Sequence, residues 1–155
     1  MFQKFDFTAT SKKERLIKAS LIGLIAAILL GFLFSFVTYH LNMRFQFSIF
    51  YALLGYAIGI IVQKIGRGIT KEFAYLAAVL TIISLLTADI TTILLPFGFK
   101  YFSFSMISFV LRHQYLETIF NLFRGIDVWN NGMFLIFRVV AVVMAINYSR
   151  PTVNR

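Results

Sequence analysis

The sequence predicts an all-α fold: a polytopic integral membrane protein with four transmembrane helices in a bundle and an interfacial amphipathic helix. Three observations predict it. Residues 19–43 form a run of 25 positions without a formal charge, and a hydrocarbon core of roughly 30 Å takes about 20 apolar residues in a helix. Three more apolar segments follow at 45–63, 73–99 (broken only by Asp89) and 132–149 (broken only by Arg138). Hydrophobic residues make up 59% of the chain and charged ones 14%, against about 25% charged in an ordinary soluble domain. Four spans use most of the 155 residues, so a single membrane domain over 1–155 is expected, with no soluble globular domain.

The elements follow in chain order. Residues 1–15 form a polar tail in which Phe2, Phe5 and Phe7 alternate with polar residues, a pattern expected to lie on a bilayer surface. Ser11 stands three residues before Glu14, the spacing of a capping box, and marks a helix start. The first span is predicted at about 16–39. It is too long for a signal-peptide core, and no small-residue cleavage pattern follows it, so it reads as an uncleaved span. The second span is predicted at about 47–65, after a short link with Arg44 alone as a charge. Gly66-Arg67-Gly68 breaks the helix. The third span is predicted at about 73–95, ending at Pro96, and the fourth at about 132–148, closed by Pro151.

Residues 97–131 are read as an outer interfacial segment. On a helical wheel Tyr115, Leu116, Ile119, Phe120, Leu122 and Phe123 share one side; His113, Gln114, Glu117, Thr118, Asn121 and Arg124 share the other. A fifth span over 101–123 would place Arg112, His113 and Glu117 in the bilayer at a cost of several kcal/mol. The interfacial reading is therefore preferred.

The net charge of +9 sits at the segment ends, which points to topology and headgroup contact rather than nucleic acid. The tail, the second link and the C-terminus carry ten Lys and Arg; the opposite side carries four. The positive-inside rule then puts both termini in the cytoplasm of a multi-pass cell-membrane protein. The Phe-, Ile- and Lys-rich usage fits a bacterial chain. No cysteine is present, which removes disulfides and Cys-based metal, thiol and palmitoyl chemistry.

Two charges need each other. Asp89 lies six residues before the predicted end of span three, and Arg138 six after the predicted start of span four. At 1.5 Å per residue both sit about 9 Å below the same boundary, so they are expected to pair. The expected role is a packing salt bridge; the alternatives are an ion or proton step, a docking point for a partner's polar residue, or a snorkelling Arg138 with an unrelated Asp89. Small residues recur every four positions on span one (Ala19, Gly23, Ala27, Gly31, Ser35), with Gly55 and Gly59 on span two and Ala141 and Ala145 on span four. Such seams let helix backbones approach closely, within one bundle or between subunits.

His113 and Glu117, at i and i+4, are candidates for a metal edge or an acid–base pair, and equally for a solvated ion pair. Arg67 and Lys71 are candidates for contact with anionic lipid. The chain carries no H-E-x-x-H, Walker A or G-x-S-x-G motif. No catalytic residue, metal or cofactor is assigned.

The stretch from Gly55 and Gly59 through Gly66-Arg67-Gly68 to Ala74, Ala78 and Thr81 resembles small bacterial multi-span proteins with a GRG-type cytoplasmic turn. The resemblance covers about 30 residues of the chain and implies neither an activity nor functional residues. The expected role is a non-enzymatic membrane subunit that assembles with itself or with a larger membrane complex. The alternative is a small ion- or proton-linked channel or transporter using Asp89. A lipid-modifying enzyme comes third. The expected partners are the lipid bilayer and a membrane protein or a second copy, not nucleic acid.

Overall fold

A computed structural model describes residues 11–40, 49–66, 71–97 and 103–150. It is 93% helical, with no strand among the described residues. Helix α1 is Lys12–His40, α2 is Ile49–Gly66 and α3 is Lys71–Phe97. A short α4 (Ser105–Val110) runs through a π-helical stretch (Leu111–Leu116) into α5 (Glu117–Phe123), forming one rod. Helix α6 is Val128–Tyr148. Four expectations lie outside the described residues: the Phe2, Phe5 and Phe7 tail, the Arg44 link, Arg67 and Gly68 of the turn, and Pro151.

Three of these helices are long and apolar enough to cross a membrane: Lys12–His40, Lys71–Pro96 and Val128–Tyr148. The apolar α2 is shorter. Its 18 residues rise about 27 Å at 1.5 Å each.

The helix ends differ from the predicted spans for local reasons. Ser11 starts α1: its Oγ accepts the Glu14 N–H at 3.3 Å, so the charged first turn is helical too. Helix α3 carries Pro96 in its last turn, where one lost N–H removes a single bond, and stops at Phe97. Helix α6 starts four residues before Gly132. Asp127 takes a left-handed conformation there (φ 44°), its carboxylate accepts from Asn130 Nδ2 at 2.7 and 2.8 Å, and Asn131 Nδ2 donates to the Ile126 carbonyl at 2.9 Å. These asparagines, polar in sequence, hold the first turn of a helix.

The closest pairs in the bundle are α1 with α3 and α2 with α6. Both pairs are parallel and non-consecutive. Lys12 meets Glu72, a Cβ on Gly23 would meet Leu80, and Ser35 meets Thr92, so α1 and α3 run in step over their length. Gly55 faces Ala141, Gly59 faces Ala145 and Gln63 reaches the Arg150 carbonyl, so α2 and α6 do the same. Helix α3 is the central one, buried through Phe73, Ala77, Leu80, Ser84, Ala88 and Leu94. Three of its hydroxyls are spent locally: Thr81, Thr87 and Thr92 each donate to the carbonyl one turn back at 2.8 Å. That is how polar residues are tolerated in an apolar helix.

This connectivity gathers the start of α1, the end of α2, the start of α3 and the end of α6 at one end of the bundle. Lys12, Lys13, Arg15, Lys18, Lys64, Lys71 and Arg150 stand there, and we call it the basic end. The far end holds the end of α3, the start of α6 and the turn after α5.

Candidate functional site

The site forms where α3, α6 and the α4–α5 rod meet. Asp89 lies eight residues before the end of α3, about 12 Å along the axis; Arg138 lies ten after the start of α6, about 15 Å. The structure brings them together. Arg138 Nη2 donates to Asp89 Oδ1 at 2.7 Å, with Asp89 and Arg138 only 7% and 6% exposed.

A third residue closes the arrangement. Tyr115 Oη donates to the other carboxylate oxygen, Asp89 Oδ2, at 2.7 Å, and accepts from Arg138 Nε at 3.1 Å. The guanidinium also donates through Nη1 to the Phe134 carbonyl at 3.3 Å. Aromatic rings surround it. Its Cζ stands 3.4 Å from the Phe134 centroid, 4.9 Å from Tyr51 and 5.4 Å from Tyr115. Each ring face attracts the cation, and desolvation strengthens that attraction. Each carboxylate oxygen thus has a charge-assisted donor, and the guanidinium is both hydrogen-bonded and caged.

Sequence reasoning assigned Tyr115 to the apolar side of a wheel. Its hydroxyl was the available signal, because a buried tyrosine O–H usually finds a partner. Phe134, one turn before Arg138 on α6, was legible as a stacking neighbour by its spacing alone. Tyr51, on α2, was not.

Tyr115 also orients the rod. Val110, Gln114, Tyr115 and Thr118 turn towards the bundle, and Thr118 donates to the Gln114 carbonyl. Leu116, Ile119, Phe120 and Phe123 face away, at 55%, 38%, 60% and 86% exposure. The inward side is therefore mixed and the outward side rich in large apolar groups. The rod is not confined to the far end: Leu111 and Tyr115 line an apolar groove of about 430 Å³ with Leu85 and Leu86 of α3 and Val139 and Val142 of α6.

The other sequence candidates fall elsewhere. Ala19, Gly23, Ala27, Gly31 and Ser35 are all buried, and the seam they form is filled by α3. Gly55 and Gly59 are buried against the backbone of α6. His113 Nδ1 and Glu117 Oε1 pair at 2.7 Å on the exposed side of the rod, away from the triad's carboxylate. Among the described residues no three His, Cys, Asp or Glu lie close enough to hold a metal. Lys71 is exposed at the start of α3.

No protein-family model matches the chain, and no curated protein or solved structure does either.

Proposed function

We propose that the chain is a four-span, non-enzymatic membrane subunit that assembles with itself or with a larger membrane complex, both termini on the cytoplasmic side of the cell membrane. The observation that carries this reading is the closed triad. Asp89, Tyr115 and Arg138 satisfy one another within the chain, as a fastener does, and so hold the rod with Leu116, Phe120 and Phe123 turned outward. That outward face is the surface on offer to a membrane partner. The small-residue seams support a self-sufficient bundle, because each is filled from inside the chain.

The test is the mass and composition of the complex extracted from native membranes in a mild detergent. A stoichiometric second protein or a defined homo-oligomer is expected. A monomer at every concentration in a bilayer rejects the reading.

One observation favours a transport reading in second place: a carboxylate buried at membrane depth beside a tyrosine hydroxyl. In proteoliposomes that reading requires Asp89→Asn to abolish ion or proton flux while the fold survives. Equal flux removes Asp89 as a coupling group.

A further inference from the structure

The rod changes its winding where it touches the triad. At the end of α4 the Leu111 N–H donates to the Ile107 carbonyl, four residues back. At the end of the π-helical stretch the Glu117 N–H donates to the Arg112 carbonyl, five back. After α5 the Arg124 N–H donates to Phe120, four back again. Such wide turns are rare and occur mostly as single bulges, often at functional sites. Nothing local calls for this one. Leu111 to Leu116 contains neither Gly nor Pro, and Leu, Arg and Gln favour an ordinary α-helix. The contact that holds it is at Tyr115, inside the stretch, whose hydroxyl bonds both Asp89 and Arg138.

A bulge of this kind holds one residue more than α-helical winding does. Its return to α winding turns everything after it by one residue, about 100° around the axis. Each place on the rod then passes to the residue before it. Gln114 takes the place of Tyr115 beside Asp89 and Arg138. Glu117 takes the buried place of Thr118, and Asn121 takes the place of Leu122 near Gly132. A second observation points the same way. Gln114 Oε1 is buried and has no hydrogen-bond partner among the described residues. An amide has both an acceptor and donors, so in the place of Tyr115 it accepts from Arg138 and donates to Asp89, as the hydroxyl does now.

We propose that the rod has two registers, in which Tyr115 and Gln114 alternate as the third partner of the Asp89–Arg138 pair. In the register of this structure the Tyr115 hydroxyl is bound and the Gln114 oxygen is left unmet. In the other, Gln114 is bound and the Glu117 carboxylate is drawn from its exposed place beside His113 into a buried one. Burying that charge is costly, which keeps the Tyr115 register dominant. The switch also turns Leu116, Phe120 and Phe123 off the outward side, so the triad governs whether that face is presented; this last step rests on the subunit reading above.

The test is cross-linking within the full chain, which has no cysteine of its own. Leu122 Cδ1 lies 3.9 Å from where a Cβ on Gly132 would stand. Gly132→Cys with Leu122→Cys therefore reports the Tyr115 register, and Gly132→Cys with Asn121→Cys the other. Wild-type background should cross-link chiefly through Leu122→Cys. Glu117→Gln and Tyr115→Phe should each raise the ratio of the Asn121 product to the Leu122 product roughly tenfold. A rod of one register predicts no change in Glu117→Gln, because Glu117 is exposed. An unchanged ratio in that variant overturns the proposal, whatever Tyr115→Phe does. Adding Gln114→Leu to Glu117→Gln should restore the wild-type ratio; if it does not, Gln114 is not the alternate partner and the exchange is rejected. The cross-links form within one chain in detergent and need no partner. A chain that switches register but assembles with nothing therefore rejects the subunit reading alone.

Discussion

Asp89 and Arg138 are each unaffordable alone at their depth and tolerable together. Removing one partner leaves the other buried without its counter-charge, a loss of about 3–5 kcal/mol in comparable sites. Asp89→Ala and Arg138→Ala are therefore each expected to destabilise the bundle strongly in a detergent-unfolding titration. The exchanged pair, Asp89→Arg with Arg138→Asp, should recover part of that loss. Recovery stays partial because the aromatic cage of Phe134, Tyr51 and Tyr115 is built around a cation on α6. If the exchanged pair fares no better than either single change, the ion pair is not what stabilises the site. Tyr115→Phe is milder. It removes one donor to Asp89 and one acceptor for Arg138, about 1–3 kcal/mol for groups left buried and unpaired. The rod should loosen before the bundle does. A cysteine at Val110, fully buried in the parent, should then label faster with a thiol reagent in the Tyr115→Phe background.

Helix pairing here depends on backbone approach. A Cβ on Gly55 would collide with the Ala141 carbonyl, and one on Gly31 with the Ser84 carbonyl. Backbone cannot rotate away, so Gly55→Ala and Gly31→Ala should each cost at least about 1–3 kcal/mol as the helices are forced apart. Gly23→Ala meets only the tip of Leu80, 2.5 Å away, and a leucine tip can change rotamer. Its cost should be the smaller. Gly132→Ala has nothing closer than Leu122 Cδ1 at 3.9 Å. It should be neutral or stabilising by about 0.4–1 kcal/mol, since alanine favours the helix. The rank order in one unfolding assay checks all four. If Gly55→Ala proves as mild as Gly132→Ala, α2 and α6 do not pack through this seam.

Across the whole molecule, charge and connectivity agree. Seven Lys and Arg stand at the basic end among the described residues, where α1 begins and α6 ends. With no native cysteine, single cysteines report sidedness cleanly. An impermeant thiol reagent added outside intact cells should label Ser103→Cys and Asp127→Cys, and should leave Ser11→Cys and Arg150→Cys unlabelled until the membrane is opened. Labelling of Ser11→Cys and Arg150→Cys from opposite sides would give an odd number of crossings and reject the four-span topology. The opposite pattern at all four sites would keep the count and invert the orientation.

Some of this was legible in the sequence alone, because it depends on position along a single helix. Uncharged length marked the helices, a spacing of four marked the seams, and a fixed rise per residue put Asp89 and Arg138 at matching depths. Helix α6 begins four residues before the expected span, because Asn130 and Asn131 bond to Asp127 and Ile126 and hold its first turn. Which seam meets which helix was decided only by the tertiary structure. A glycine face fits any close-approaching backbone, and the pairs that form, α1 with α3 and α2 with α6, are not neighbours in the chain. Tyr115 likewise joined the site only in three dimensions. On its own wheel it is one more large apolar side chain, and its hydroxyl gains meaning only when the fold carries it to a carboxylate 26 residues away and a guanidinium 23 residues away. Periodicity reports which side of a helix is special; only packing decides what that side meets.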